Sequence, residues 1–387
     1  MKTIYMIVAL LASVACNQVG GKTESALAGK DALTAAEAQQ YAQELREAWI
    51  DSLKLALESA FTDKRITRGA NTMRLDWRIF GVKPADGRSL YISLHGGGGA
   101  PTALNDSQWE NQKKLYQPAE GVYLCPRGIT DTWDLHFRPE SDAFYEEVIR
   151  MAVAFLDVNP DKVYLMGYSA GGDGVWRLAP RMADHWAAAS MMAGHPGDVS
   201  LLSLRNLPFM IWCGALDAAY DRNLECAKRI EEMAALHAAD PEGYVYEGHI
   251  VEGKEHWMNL EDAAAVPWMA KFTRNPCPKR VVWCQGDVAK QDFYWLGVPA
   301  GETAKGKTVT AQISGNTVEI LSCDYSELTV YLNDTLVDLG KPVRIVCNGA
   351  KLFEGPLERS PATMRQTLAR RGDPSYIFPA SVTVKMP

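Results

Sequence analysis

Ser169 stands in Gly167-Tyr168-Ser169-Ala170-Gly171, directly after the apolar run Lys162 to Met166 and before a stretch of helical composition. A serine on such a strand-to-helix turn presents its hydroxyl outward, and the turn is so tight that side chains two residues before and after would strike the backbone. Gly167 and Gly171 meet that demand. The chemistry this allows is nucleophilic attack on an acyl carbon, provided that other residues supply a base, an acid and donors for the oxyanion. A glycine-bracketed loop serine is the plain alternative, and only those partners tell the two apart.

The donors are expected upstream. Ser89 to Leu94 reads as a short buried strand that runs into His95-Gly96-Gly97-Gly98-Gly99 and then Ala100-Pro101. Glycines let backbone N–H groups turn toward a carbonyl oxygen without obstruction, and the donors are assigned to Gly97, Gly98 and Ala170. His95 is read as the histidine that holds this loop. A second apolar strand, Pro208 to Gly214, leads to Asp217, placed where the triad order of the α/β-hydrolases that these motifs resemble puts the acid; Asp221 lies one turn on beside Arg222, where a helix cap or an ion pair is the ordinary role. Tyr244 to Val251 looks extended, and the loop Glu252 to Trp257 that follows carries His256, the expected base. His249 inside the strand pattern is the alternative, and His237 belongs to a helix. In this arrangement His256 takes the proton of Ser169 while Asp217 fixes the imidazole tautomer.

The order serine, acid, histidine, together with His95-Gly96-Gly97-Gly98, resembles the α/β-hydrolase superfamily over roughly Met73 to Arg274, about half of the chain. Within it the chain is similar to secreted esterases related to polyhydroxybutyrate depolymerases and feruloyl or acetylxylan esterases. The resemblance implies an α/β fold with a doubly wound, mostly parallel sheet. It also implies a serine carboxylic-ester hydrolase that works through an acyl-enzyme without a cofactor, on a small-molecule or polysaccharide ester. His195, Trp133 and Tyr168 are candidates to line the substrate pocket. A proline turn with a packed indole is the alternative for the Cys125 to Gly128 loop and Trp133.

The elements around this core follow from composition. Lys2 and the apolar segment Ile4 to Leu11, then Ala12-Ser13-Val14-Ala15-Cys16, read as a signal peptide with a lipobox over residues 1–16, although Ser13 stands where leucine is usual. Cys16 would then carry a lipid and tie the protein to a bacterial membrane outside the cytoplasm, in the periplasm or at the cell surface; cleavage near Ala15 as an ordinary signal peptide is the other reading. Residues 17–33 read as a flexible tether. Thr34-Ala35-Ala36-Glu37 matches a capping box before a helix over Ala38 to Ala60, and residues 34–274 form the catalytic unit.

After Asn275-Pro276-Cys277-Pro278 the pattern changes to short β-like runs, and residues 275–387 are expected to form a smaller, sandwich-like β-rich domain. Asn348-Gly349 is a hairpin signal, and a late helix is expected over Pro361 to Arg371. Trp283, Phe293, Tyr294 and Trp295 would form either an aromatic binding platform or an apolar seam between the two units.

The formal net charge is -7, from 40 Lys+Arg against 47 Asp+Glu, with no basic stripe, which argues against nucleic acid as a partner. Hydrophobic residues at 47% suffice for sizeable cores. No histidine or cysteine spacing matches a metal site. Without Cys16 seven cysteines remain, so at least one is free or paired between chains; Cys277 and Cys284 could bridge across the boundary. Two other functions are compatible with the chain. One is a serine peptidase of the prolyl or dipeptidyl type, for which residues before Met73 leave no room for a propeller. The other is a non-catalytic surface lipoprotein that binds glycans.

Overall fold

The computed structural model describes residues 25–387; the segment read as a signal peptide, Cys16 and the first part of the stretch read as a tether lie outside the described residues. Helix α1 (Ala35–Thr62) opens on the capping box read from the sequence, with Thr34 accepting the Glu37 N–H and the Glu37 carboxylate accepting the Thr34 N–H. It packs along the catalytic unit, where Phe61 stacks on Phe155 at 4.5 Å and on Trp77 at 5.4 Å.

Two strands at the sheet edge come next, β1 (Arg65–Arg68) and β2 (Asn71–Phe80), followed by β3 (Arg88–Leu94), α2 (Thr102–Leu115), β4 (Gly121–Pro126), α3 (Ser141–Phe155), β5 (Val158–Tyr168), α4 (Ala170–Arg181), β6 (Ala188–Met192), β7 (Phe209–Gly214), α5 (Arg222–Ala239), β8 (Tyr246–Val251) and α6 (Ala265–Met269). The strands form one eight-stranded sheet in the order β1-β2-β4-β3-β5-β6-β7-β8. From β4 to β8 all neighbours are parallel, and β2 alone joins β1 and β4 antiparallel. The middle strands are buried on both faces, which is why they read as continuous apolar runs, whereas exposed and buried positions mix along β2. One face carries the aliphatic core beneath α1, α3 and α4, and the other an aromatic cluster that includes Tyr91, Trp109, Tyr116, Tyr123 and Trp268.

The C-terminal part holds β9 (Arg280–Cys284), β10 (Asp292–Phe293), β11 (Leu296–Gly297), β12 (Thr308–Ser314), β13 (Thr317–Cys323), β14 (Glu327–Leu332), β15 (Val343–Cys347), β16 (Ala350–Gly355), α7 (Pro361–Arg371) and β17 (Ala380–Lys385). They make a five-stranded sheet, β16-β15-β13-β12-β9, and a four-stranded one, β10-β11-β14-β17. Asn348 and Gly349, both at positive φ, turn β15 into β16, and α7 spans the range its sequence predicts.

This part is bolted to the unit built on the eight-stranded sheet. Trp283, Phe293, Tyr294 and Trp295 are buried in the shared apolar core, with the Trp295 indole donating to the Pro278 carbonyl, so they form the seam and offer no aromatic platform. At the C-terminal end of α4, Asp184 pairs with Arg371 and His185, and Arg274 bonds Asp161 and Asp373. Helix α4 is 12 residues long, so this anchorage lies roughly 18 Å along the helix from its Ser169 end. Leu27 and Leu33, in the segment read as tether, are buried against Met364, Leu368 and Ile377. Their apolar side chains fit a groove beside α7 that local composition does not reveal. Cys277 and Cys284 are both free, as are the other described cysteines; the Cys277 sulfur accepts a bond from Asn333.

Candidate active site

Ser169 caps α4 at the end of β5 with φ 58° and ψ -120°, a backbone conformation that a non-glycine residue holds only under strain. The strain is maintained by contacts that tolerate no side chain. A Cβ on Gly171 would stand 2.2 Å from the Leu94 carbonyl oxygen, and one on Gly167 would stand 2.4 Å from the Gly171 carbonyl oxygen. Gly172 and Gly194 pack backbone to backbone in the same way, a requirement the pentapeptide alone does not announce. The Ser169 N–H donates to the Met192 carbonyl at 2.9 Å, which ties the elbow to the end of β6.

From this elbow the side chains form a hydrogen-bonded line. Ser169 Oγ lies 2.9 Å from His256 Nε2, and His256 Nδ1 lies 2.7 Å from Asp217 Oδ2. With the imidazole neutral, Nδ1–H donates to the carboxylate and Nε2 accepts from the serine hydroxyl, the tautomer that a base toward Ser169 requires. Asp217 is 3% exposed on the loop after β7, and its second oxygen accepts from Arg222 Nη1 at 3.2 Å. The structure thus brings Ser169, Asp217 and His256 together. Asp221, at φ 56° before α5, makes no side-chain cap bond; His249 stacks on Trp212 at 3.9 Å beside Glu247; His237 Nδ1 bonds the Gly243 carbonyl.

The glycine loop lies against the serine, with a Cβ on Gly96 placed 3.3 Å from Ser169 Cβ. His95 holds the loop from below: Nδ1–H donates to the Gly96 carbonyl at 2.6 Å and Nε2 accepts the Gly128 N–H at 3.0 Å. Burial pushes its pKa down to about 3, so it remains neutral. Of the three donors assigned from sequence, Gly98 is excluded, because its N–H is buried and donates to Asn105 Oδ1 at 2.8 Å. That leaves the N–H of Gly97, partly exposed at φ 102°, and that of Ala170 at the start of α4. Asn105 in turn donates to the Ala100 carbonyl and Asp131 Oδ1, and Arg127 ties Asp131 to Asp106. An asparagine inside an amphipathic helix gives no sequence signal for this role.

The three pocket candidates part company. Trp133, 42% exposed, stands beside Gly98 and Gly99 and faces the exposed Tyr220 ring at 5.8 Å. Tyr168 is buried and clamps the base loop, donating to the His256 carbonyl and accepting the Met258 N–H, so it supports the site from beneath instead of lining it. His195 is half-buried; its N–H donates to the buried Asp173, and its Nδ1 accepts the Gly197 N–H, which fixes the loop after β6. Leu216, Trp257 and Leu260 are exposed apolar side chains on the loops that carry Asp217 and His256, and Trp257 lies 5.6 Å from the Tyr168 ring.

A serine on the elbow after β5, an acid after β7 and a histidine after β8 complete the architecture. The fold is that of an α/β-hydrolase. No family model matches the chain. Part of the chain is similar to NocK, a protein of Nocardia uniformis subsp. tsuyamanensis named as an esterase, at 31% identity over 118 residues; the match covers 28% of this chain and 33% of NocK. Similar solved structures include a thermostable esterase, with 18% identity, coverage of 55% and 64% of the two chains and a TM-score of 0.41. The feruloyl esterase module of Clostridium thermocellum, in complex with sinapinate, is similar at 17% identity, 54% and 86% coverage and a TM-score of 0.38. Among the described residues no group of three or more His, Cys, Asp or Glu is placed to hold a metal ion.

Proposed function

We propose that this α/β-hydrolase is a serine carboxylic-ester hydrolase with Ser169, His256 and Asp217 as its triad. The observation that carries the reading is the line Asp217–His256–Ser169, at 2.7 and 2.9 Å, with the glycine loop against the serine. Ser169 Oγ bonds to the ester carbonyl carbon as its proton passes to His256 Nε2. The oxyanion lies against the N–H groups of Gly97 and Ala170. Collapse breaks the ester C–O bond, and the imidazolium proton goes to the departing alkoxide. Water then loses a proton to His256, attacks the acyl carbon, and releases the acid as Ser169 recovers its hydrogen. Asp217 holds the tautomer and stabilises the imidazolium throughout.

The substrate class we propose is an acyl ester of a polysaccharide or another ester outside the cytoplasm, with the protein held at a bacterial membrane through lipid on Cys16. The likeness to NocK supports ester chemistry, and the exposed apolar side chains on the loops of Asp217 and His256 suit an acyl or alcohol group of some size.

The test is hydrolysis of short p-nitrophenyl esters by the protein beginning at residue 25, beside Ser169→Ala, with aminoacyl-p-nitroanilides in parallel. Ester turnover abolished in the variant supports the reading. Anilide turnover alone replaces it with peptidase action. No turnover, with no labelling of Ser169 by a fluorophosphonate, leaves a binding protein.

A further inference from the structure

We infer that Arg222 is a positioning residue for this site, holding the Asp217 carboxylate so that its other oxygen stays on His256. The inference rests on the triad reading above. Asp217 Oδ2 serves His256 and Oδ1 serves Arg222 Nη1, and the two side chains are almost wholly buried, so this pair is not a solvated surface contact.

Arg222 is the first residue of α5, where the positive end of the helix dipole disfavours a cation. A buried carboxylate opposite it resolves that conflict. The guanidinium is itself fixed: Nη1 also donates to the Ala219 carbonyl at 3.4 Å, and the group lies 5.1 Å from the Tyr220 ring. The chain reaches this geometry through two successive left-handed residues, Tyr220 and Asp221 at φ 58° and 56°, which fold the start of α5 back onto the acid loop. Asn223 closes the same loop, its N–H donating to the Asp217 carbonyl and its side chain to the Ala215 carbonyl.

The chemical need is specific. His256 alternates between neutral and charged states during turnover, so its hold on Asp217 changes in strength. A guanidinium stays protonated throughout and anchors the other oxygen against rotation.

Four variants test this with p-nitrophenyl acetate: Arg222→Gln, Arg222→Lys, Asp217→Asn and the Arg222→Gln/Asp217→Asn double. Arg222→Met, which keeps the aliphatic volume, runs in parallel so that loss of fold in one variant leaves another to decide. Arg222→Gln should lower kcat about 10- to 100-fold, the scale of one charged hydrogen bond, with KM changed by less than about twofold. Arg222→Lys should recover most of the loss. On the Asp217→Asn background Arg222→Gln should add less than about threefold, because its effect passes through that carboxylate. An unchanged kcat in the folded Gln and Met variants, or full multiplication of the two losses in the double, overturns the inference. If instead Ser169→Ala retains wild-type turnover, it is the underlying triad reading that fails.

Discussion

Asn105 Oδ1 accepts the Gly98 N–H at 2.8 Å from a position wholly shielded from solvent. The bond takes up one N–H of the glycine loop, and in the proposed mechanism it orients the remaining donors toward the oxyanion. A Cβ at Gly97 would sit 2.3 Å from the same Oδ1, so the loop wraps the amide with no space to spare.

Asn105→Ala should therefore lower kcat for ester hydrolysis by about 10- to 100-fold by letting Gly97 drift from its aim. The Gly98 N–H is left buried without an acceptor, which should cost about 1–3 kcal/mol in stability. Steady-state kinetics and urea denaturation on the same preparation measure both effects.

Asp217→Asn should keep the fold and lower kcat by about 10⁴-fold, because the amide oxygen is drawn to the Arg222 donor and the NH2 then faces Nδ1, which favours the wrong imidazole tautomer. Kinetics across pH on the purified variant checks this. Recovery of activity with a second Asp221→Asn change is not expected, since the Asp221 side chain takes no part in the line.

The elbow glycines set a steric limit. Gly171→Ala places a methyl group 2.2 Å from the Leu94 carbonyl oxygen, a backbone atom that cannot yield without moving β3. Soluble expression should fall sharply, and any folded fraction should be inactive toward p-nitrophenyl acetate and fluorophosphonate.

Acid should loosen the junction between the two parts of the chain. Burial raises the Asp184 carboxyl, but His185 and Arg371 outweigh it and hold its pKa well below the ordinary carboxylate range. A carboxyl lowered on folding stabilises the protein above its unfolded value of about 3.9, and the gain disappears as pH falls through the folded value. Arg371→Met leaves Asp184 without one partner and should cost about 3–5 kcal/mol at neutral pH. The gap between wild type and variant in chemical denaturation should narrow steadily below about pH 4.

Trp133→Ala should leave the fold intact, because the ring is 42% exposed, and raise KM several-fold for esters with bulky acyl or alcohol groups while sparing acetate. Comparison of p-nitrophenyl acetate with a naphthyl ester reads the difference.

What the sequence shows of this site follows from local steric demands. Gly167, Ser169 and Gly171 are legible because a strained turn admits few residue types, and Asp217 and His256 because each follows a strand-like run at the place that the serine, acid, histidine order of the resemblance implies. Asn105 and Arg222 are not, since each reaches back from a helix of ordinary pattern to a loop residue seven or five positions earlier, and only the path of that loop brings the two together. In the fold, β6 escapes notice: Ala188 to Met192 carries alanine and methionine, residues of low strand propensity that only pairing with β5 and β7 makes extended. Trp283, Phe293, Tyr294 and Trp295 leave two outcomes open in sequence, and burial decides between them.

Leu27 and Leu33 seat the beginning of the described chain beside α7, and Arg371 of α7 reaches Asp184 beyond the far end of α4. The first described residues are therefore coupled, through α7, to the end of α4 opposite the one that carries Ser169, so that a change at Leu27 or Leu33 would be felt at the junction of the two parts before it reached the elbow.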